Sequence, residues 1–249
     1  MSVKLSIITA TWNSAETLPA TLYSLASQTC QDFESIVVDG GSSDATVDII
    51  KSSAVVDRWV SEKDRGIYDA LNKGIEMAKG EYVGFLHSDD ILASSESLQN
   101  LIRILDECSP DAIYADLEYV EKADVQKVVR YWKSGSFSFQ KLKWGWMPPH
   151  PTFYMKKVLY DEYGGFNLNY KIGADYDSLV RYMYVNKVVP EYLPEVLIKM
   201  RVGGVSNRSL KNIISKSRED LFIMKSLGLP PWRALVGKNL SKIPQFLKR

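Results

Sequence analysis

At 249 residues the chain can bury a sizeable core as one enzyme-sized unit or two small ones. Its 45% hydrophobic and 24% charged residues exclude a disordered or fibrous chain, and a net charge of +1 argues against a surface built for nucleic acid. Cys30 and Cys108 form no CxxC pair, and with His87 and His150 as the only histidines a zinc-finger spacing is absent. The start, MSVKLSIITATWN, has no basic stretch before a signal-length apolar run, and no run of about 18 apolar residues occurs. Neither export nor a membrane span is expected, and a reducing cytoplasm is the expected compartment.

Short apolar runs then alternate with amphipathic stretches, the pattern of a mostly parallel sheet. KLSIIT reads as the first strand, and Asn13 with Glu16 predicts a capping box for a helix whose Leu18, Leu22 and Leu25 share a face. FESIVVD is the second strand, and GGSSDAT after it predicts a tight turn and the cap of a helix around Val47 to Ile50. VVDRWVSE is the third. From about Asp64 a helix places Ile67, Leu71 and Ile75 four apart, with Gly80 as its expected end, and EYVGFL is the fourth strand. Past residue 110 the parallel rhythm gives way to a mixed one. Strands are expected in DAIYADLEYV, VQKVVRYW and VLIKMRV, with a helix near Asp175 to Val185 and helices in the tail. No acid follows Asp220, whereas Lys225, Arg233, Lys238, Lys242, Lys248 and Arg249 do. This basic tail, interleaved with Trp232, Leu235, Leu240, Ile243, Phe246 and Leu247, reads either as a segment lying on an anionic membrane face or as a helix packed on the domain.

Ligands of open α/β sheets bind beyond the carboxyl ends of the strands, and Asp39, Asp89 and Asp90 all fall there. Two adjacent acids suit a hard divalent cation, Mg2+ or Mn2+, shared with substrate phosphates; taken alone they better suit a solvated turn that caps the next helix. GxGxxG and GxxxxGK[ST] are both missing, which argues against a dinucleotide-dependent dehydrogenase or a P-loop nucleoside triphosphatase.

Five motifs in order, SIITATWN, IVVDGGSSDAT, SEKDRGIYDALNKGI, GEYVGFLHSDD and GADYDSLVRY, resemble family-2 glycosyltransferases of the GT-A fold, above all bacterial enzymes of surface-polysaccharide assembly. The resemblance runs over roughly residues 3 to 205. It implies an α/β fold with a Rossmann-like nucleotide-binding sheet, mixed strands in the acceptor half and a helical tail. Residues 1–205 would form the GT-A domain, with 1–110 binding the nucleotide sugar and 111–205 the acceptor, and 206–249 a basic helical extension.

The resemblance also implies roles. Thr9, Thr11 and Asn13 would line the nucleotide pocket and Asp39 would bond the base, typically uracil. Asp64 and Arg65 would approach base and diphosphate, with Asn72 and Lys73 close to the donor. Asp89 would face the ribose or donor sugar and Asp90 hold the metal. Asp175 would be the catalytic base, in a motif more often written Glu-Asp, where this chain has Ala174; Asp177 is the fallback, and Asp175 read without the resemblance is a helix cap. His150 and Trp146 are candidates for the acceptor side, and Arg201 or Arg208 for phosphate. The implied activity is metal-dependent inverting transfer from a nucleotide-diphosphate sugar, a UDP-sugar by preference, to a saccharide acceptor, lipid-linked, at the inner membrane face. A sugar nucleotidyltransferase is a weaker reading, because TATWNSAET has no Gly-rich basic loop for a triphosphate. A catalytically inactive protein of the same fold rests on Ala174 alone.

Overall fold

The computed structural model describes residues 3–203 and 210–240, apart from the side chains of 210–214 and 239–240. Arg208 and the basic residues beyond 240 therefore lie outside the described residues. The first half alternates strand and helix: β1 (Leu5–Thr11), α1 (Leu18–Ala26), β2 (Phe33–Asp39), α2 (Thr46–Ser52), β3 (Arg58–Ser61), α3 (Ile67–Met77) and β4 (Tyr82–Phe85). Then come β5 (Ile91–Leu92), α4 (Ser97–Cys108), β6 (Ala112–Val120), β7 (Val128–Trp132), α5 (Phe139–Leu142), β8 (Tyr154–Lys156), α6 (Lys157–Tyr163), α7 (Ala174–Val180), β9 (Pro190–Arg201), α8 (Leu210–Ser226) and α9 (Pro231–Leu240).

Among the described residues these strands make one sheet in the order β3-β2-β1-β4-β8-β6-β9-β5, with β7 paired to β6. The pairs β3/β2, β2/β1 and β1/β4 are parallel; β8 is antiparallel to both β4 and β6, by two residue pairs on each side. The β1 and β2 strands are buried on both faces, as parallel strands between helix layers are. Leu5, Ile7 and Val37 pack with Leu18, Leu22 and Leu25 of α1, and Ile8, Ile36 and Val38 with Ala70, Leu71 and Ile75 of α3.

Two expectations need correcting. The first helix begins at Leu18 with no side-chain cap, and Asn13 has φ 48°, its side chain turned to the Ser43 amide instead. Short range lost to a bond across to the next loop. The α3 helix ends at Met77, and Gly80 is small for another reason: a Cβ there would meet the Ser6 backbone nitrogen at 2.5 Å. Beside it the Glu34 carboxylate accepts from the amides of Lys79 and Gly80 and pairs with Arg58 at 2.7 Å.

The α7 helix continues into one π-turn, Arg181–Val185, and α8 and α9 pack against it. Ile223, Met224, Leu229 and Ala234 form a cluster with Tyr176 and Val180 of α7. Lys238 is buried, 2.7 Å from Asp220 and 3.6 Å above the Tyr176 ring. Burial lowers the pKa of its ammonium, and Asp220 opposes that shift. Among the described residues the tail is thus packed on the domain through Lys238, which is withdrawn from any exposed basic face. Two glycines permit the contact: a Cβ on Gly237 would overlap the Trp144 carbonyl, and one on Gly145 the Ala234 carbonyl. Gly237→Ala should therefore lower the urea midpoint. The clash costs about 1–3 kcal/mol and outweighs the roughly 1 kcal/mol that alanine gains in a helix.

Candidate active site at the strand ends

The loops that follow β1, β2, β3 and β4 are tied to one another by side chains. Asn13 accepts from the Ser43 amide at 2.9 Å and its own amide donates to the Ser42 hydroxyl at 2.7 Å. Ser14 and Ser88 share a hydroxyl contact of 3.0 Å, which joins the β1 loop to the turn carrying Asp89 and Asp90. Asp64 bonds the Gly66 amide at 2.8 Å, and a Cβ on Gly40 would fall 2.5 Å from its Oδ2. Gly40→Ala must push aside the end of the half-buried Asp64 side chain, so it should move that carboxylate with little change in the urea midpoint.

Asp39 is fully buried and spends its carboxylate on its own turn. Its Oδ2 accepts from the amides of Gly41 and Ser42 and from the Ser61 hydroxyl, at 3.1, 2.9 and 2.6 Å, and its Oδ1 accepts from the Ser42 hydroxyl. A carboxylate has about four acceptor positions, so a ligand N–H would share or displace one of these bonds. Thr9 and Thr11 differ. Their buried hydroxyls have no hydrogen-bond partner, although both sit at the carboxyl end of a central strand.

The Asp89–Asp90 turn is anchored from β9. The Arg201 amide donates to Asp90 Oδ1 at 3.2 Å and the Arg201 guanidinium to the Asp89 carbonyl, while Thr21 donates to the Asp90 carbonyl at 2.7 Å. Asp90 is 1% exposed, and its Oδ2 has no partner. Burial first, and the Asp89 charge second, hold its pKa well above the usual carboxylate range. An orphaned, buried carboxylate oxygen fits a divalent cation. No group of three His, Cys, Asp or Glu among the described residues could hold one without help, so the remaining oxygens would come from a bound diphosphate and water.

Asp175 is brought to the same place from the other half of the chain. It lies in the first turn of α7, where its Oδ1 accepts from the Tyr176 amide at 2.8 Å; Gly173, and not Asp175, occupies the cap position. Its charge reaches both histidines. Burial depresses His87, with Asp89 and Asp175 opposing, and His150 falls to about 4 through burial, countered by Asp175 and reinforced by His87. Both imidazoles are neutral at physiological pH. His150 stacks on Phe85 with ring centroids 5.3 Å apart and meets the edge of Phe166, and His87 Nδ1 is buried without a partner.

Other candidates serve the walls. The Asn72 amide bonds both backbone groups of Phe166, at 2.9 and 2.7 Å, which fixes the ring that packs on His150 and Tyr68. Lys73 pairs with Glu62 at 2.6 Å, and Arg65 is exposed and pairs with Asp69 at 2.9 Å. Trp146 donates to the Ser134 carbonyl at 3.0 Å and packs on Tyr114 inside the second core cluster. Asp177 is buried and paired with Arg181 at 3.4 Å, which suits structure better than proton transfer. The sequence reading missed Ser88, and it missed Tyr68, whose hydroxyl donates to the Ile172 carbonyl at 2.6 Å beside Asp175. Neither residue belongs to a local pattern that marks it.

The chain is similar to known proteins along most of its length. It is 33% identical over 208 residues, 81% of this chain and 78% of the other, to a PGL/p-HBAD biosynthesis glycosyltransferase of Mycobacterium bovis. It is 30% identical over 179 residues, 71% and 67% of the two chains, to an uncharacterized glycosyltransferase of Mycobacterium tuberculosis. Among solved structures, S. aureus TarS in complex with UDP-GlcNAc superposes with a TM-score of 0.73 at 20% identity, over 97% of this chain and 73% of that one. A Pyrobaculum calidifontis mannosyltransferase in complex with GDP-Man and Mn2+ gives 0.62 at 17%, over 99% and 76%. These neighbours share the Rossmann-like GT-A architecture. The family model described as glycosyl transferase family 2 matches residues 6–164, more than half of the chain, and this protein belongs to that family.

Proposed function

We propose that the protein is an inverting glycosyltransferase that moves a sugar from a nucleoside-diphosphate sugar, a UDP-sugar by preference, to a saccharide acceptor in surface-glycan assembly. The observation that carries this reading is the meeting of Asp175 with the Asp89–Asp90 turn around two neutral histidines, although some 85 residues separate them in sequence. The TarS complexes with UDP-GlcNAc and UDP support a uridine nucleotide, and the Mn2+ of the mannosyltransferase complex supports a divalent cation.

Thr9 and Thr11 present unpartnered hydroxyls to the donor, Asp39 and Asp64 shape the base pocket, and Asp89 faces the sugar. Asp90 would hold Mg2+ or Mn2+ through Oδ2. Such a cation neutralises the charge that grows on the departing diphosphate. Asp175 takes the proton of the acceptor hydroxyl as its oxygen attacks the anomeric carbon, its carboxylate held by the Tyr176 amide and neighboured by the Tyr68 hydroxyl. Attack from the face opposite the leaving group inverts the configuration. Phe85, Phe166 and the two imidazoles exclude water on one side.

A lipid-linked acceptor is supported by the exposed Trp232, Arg233 and Val236 on α9, a face able to rest on a membrane. No described helix is long and apolar enough to cross one. In this reading residues 1–110 serve the donor, 111–205 the acceptor, and 206–249 the docking. Thermal-shift titration with nucleoside diphosphates and their sugars, with and without Mn2+ or Mg2+, tests the reading. Metal-dependent stabilisation by one uridine or guanosine nucleotide is expected, and a flat response across the panel would overturn it.

A further inference from the structure

The carboxylate of Glu219, on α8, sits at the start of α7. Its Oε2 accepts from the amides of Gly173 and Ile172 at 2.7 and 3.0 Å, and its Oε1 from the amide of Lys171 at 3.3 Å. Those three amides form the approach and the cap position of the short helix that opens with Ala174 and Asp175. Helix starts leave donors unsatisfied and carry partial positive charge, so an acid there is doubly favoured. Usually the acid is local. Here Ala174 is fully buried among apolar side chains and the segment has no acid ahead of Asp175 to play that part, so a helix some 45 residues downstream supplies it.

The clamp is two-sided. While Glu219 holds the amides of residues 171–173, the Tyr68 hydroxyl from α3 holds the Ile172 carbonyl at 2.6 Å. Gly173 is also confined, since a Cβ there would meet Glu219 Oε2 at 3.2 Å and Ile223 at 3.0 Å. The Glu219 helix is itself fixed by the adjacent buried Asp220–Lys238 pair and by Ile223 and Met224 on Tyr176 and Val180. The bonds of Glu219 and Tyr68 both end on residues 171–173, directly ahead of Asp175.

We infer that Glu219 is a positioning residue, acting through the backbone of residues 171–173 to set where the Asp175 carboxylate stands relative to the reacting hydroxyl. This rests on the reading of Asp175 as the base. A displacement of about 1 Å in a reacting group can cost on the order of a hundredfold in rate, which gives a backbone clamp its leverage.

Two measurements test it. The chain has two histidines, both within the field of Asp175, so their imidazole NMR resonances at fixed pH report where that carboxylate stands without any substrate. Glu219→Gln, which keeps one acceptor oxygen, should move the His150 and His87 signals in the same direction as Asp175→Asn does. Unmoved signals in Glu219→Gln would overturn the inference whether or not the protein turns over a sugar nucleotide. The second measurement uses nucleotide release from whichever donor of the panel the wild type turns over, with water as acceptor. Glu219→Gln should reduce kcat about tenfold and Glu219→Ala about a hundredfold with donor KM unchanged, and Glu219→Gln should add nothing in an Asp175→Asn background. A full additional loss in that background, or a rise in KM with kcat intact, would sink it. If Glu219→Ala melts below the assay temperature, Glu219→Gln carries the comparison. A wild type inert toward every donor would count against the proposed function, and the histidine signals would still decide the role of Glu219.

Discussion

Asp175→Asn is expected to lower kcat about 10²–10⁴-fold while nucleoside-diphosphate affinity stays as in the wild type, because the variant loses a proton acceptor and no donor contact. Isothermal titration beside a transfer assay separates the two quantities. The amide can still accept from Tyr176 through its oxygen, so the start of α7 should survive. The same variant should depress the His150 pKa below its value of about 4, since the Asp175 charge opposes the shift due to burial. Turnover that persists in Asp175→Asn would remove this residue from the reaction. Asp177 would be a poor replacement, held as it is by Arg181, which also donates to the carbonyls of Tyr163, Gly164 and Gly165.

Asp90→Asn should have opposite effects on stability and activity. In the cation-free protein the raised pKa of Asp90 means that the folded chain holds this proton more tightly than the unfolded chain does. The contribution of Asp90 to stability is then most favourable below the ordinary carboxylate value of 3.8 and declines as pH rises from there toward the folded-state pKa, where burying the ionised form has its full cost. Asparagine carries no charge and removes that decline. At neutral pH without metal we expect Asp90→Asn to melt about 4 °C higher, or about 1–2 kcal/mol at this chain length. With Mn2+ and nucleotide the order should reverse. The variant should lose the metal-dependent part of nucleotide stabilisation and about 10²–10³-fold in transfer. A stability difference between wild type and Asp90→Asn that stays constant across that pH window in the absence of metal would refute the assignment.

How far the sequence alone leads depends on the range of the interactions. The strand FESIVVD coincides with β2 residue for residue, and the helix expected from Ile67, Leu71 and Ile75 is α3, although Ile67 is exposed and Ala70 joins Leu71 and Ile75 on the buried face. The α4 helix is open to the same treatment, since Leu98, Leu101, Ile102 and Leu105 repeat at helical spacing and are all buried. By contrast β5 and β8 have two and three residues, too few for any period to show. The strand-end acids were legible as a group because chain order places them at the same sheet edge. Their individual duties were not. That Asp39 is occupied by its own turn, that Asn72 braces Phe166 and that Arg201 fastens the Asp89–Asp90 turn depend on partners from 3 to 112 residues away. Asn13 shows the same limit from the other side, a well-formed local cap signal overruled by a loop 30 residues on.

The short β8 strand has a dynamic consequence. Within the sheet of the described residues it bridges β4 and β6, with two residue pairs to each. The Tyr154 ring lies directly on Gly84, where even a methyl group would not fit, so the joint is held by stacking as much as by its ladder. The β8 ladder is short beside the continuous parallel one, and amide exchange at Tyr154 and Met155 should be faster than at Ile7 or Val37. Both hydrophobic clusters cross this joint, one setting Leu5 and Ile7 with Ile113 and Leu117, the other Ile8 and Phe85 with Tyr114 and Met155, so neither half keeps a core of its own. The halves should then unfold together, and activity should be lost on warming along with the ellipticity of the helices.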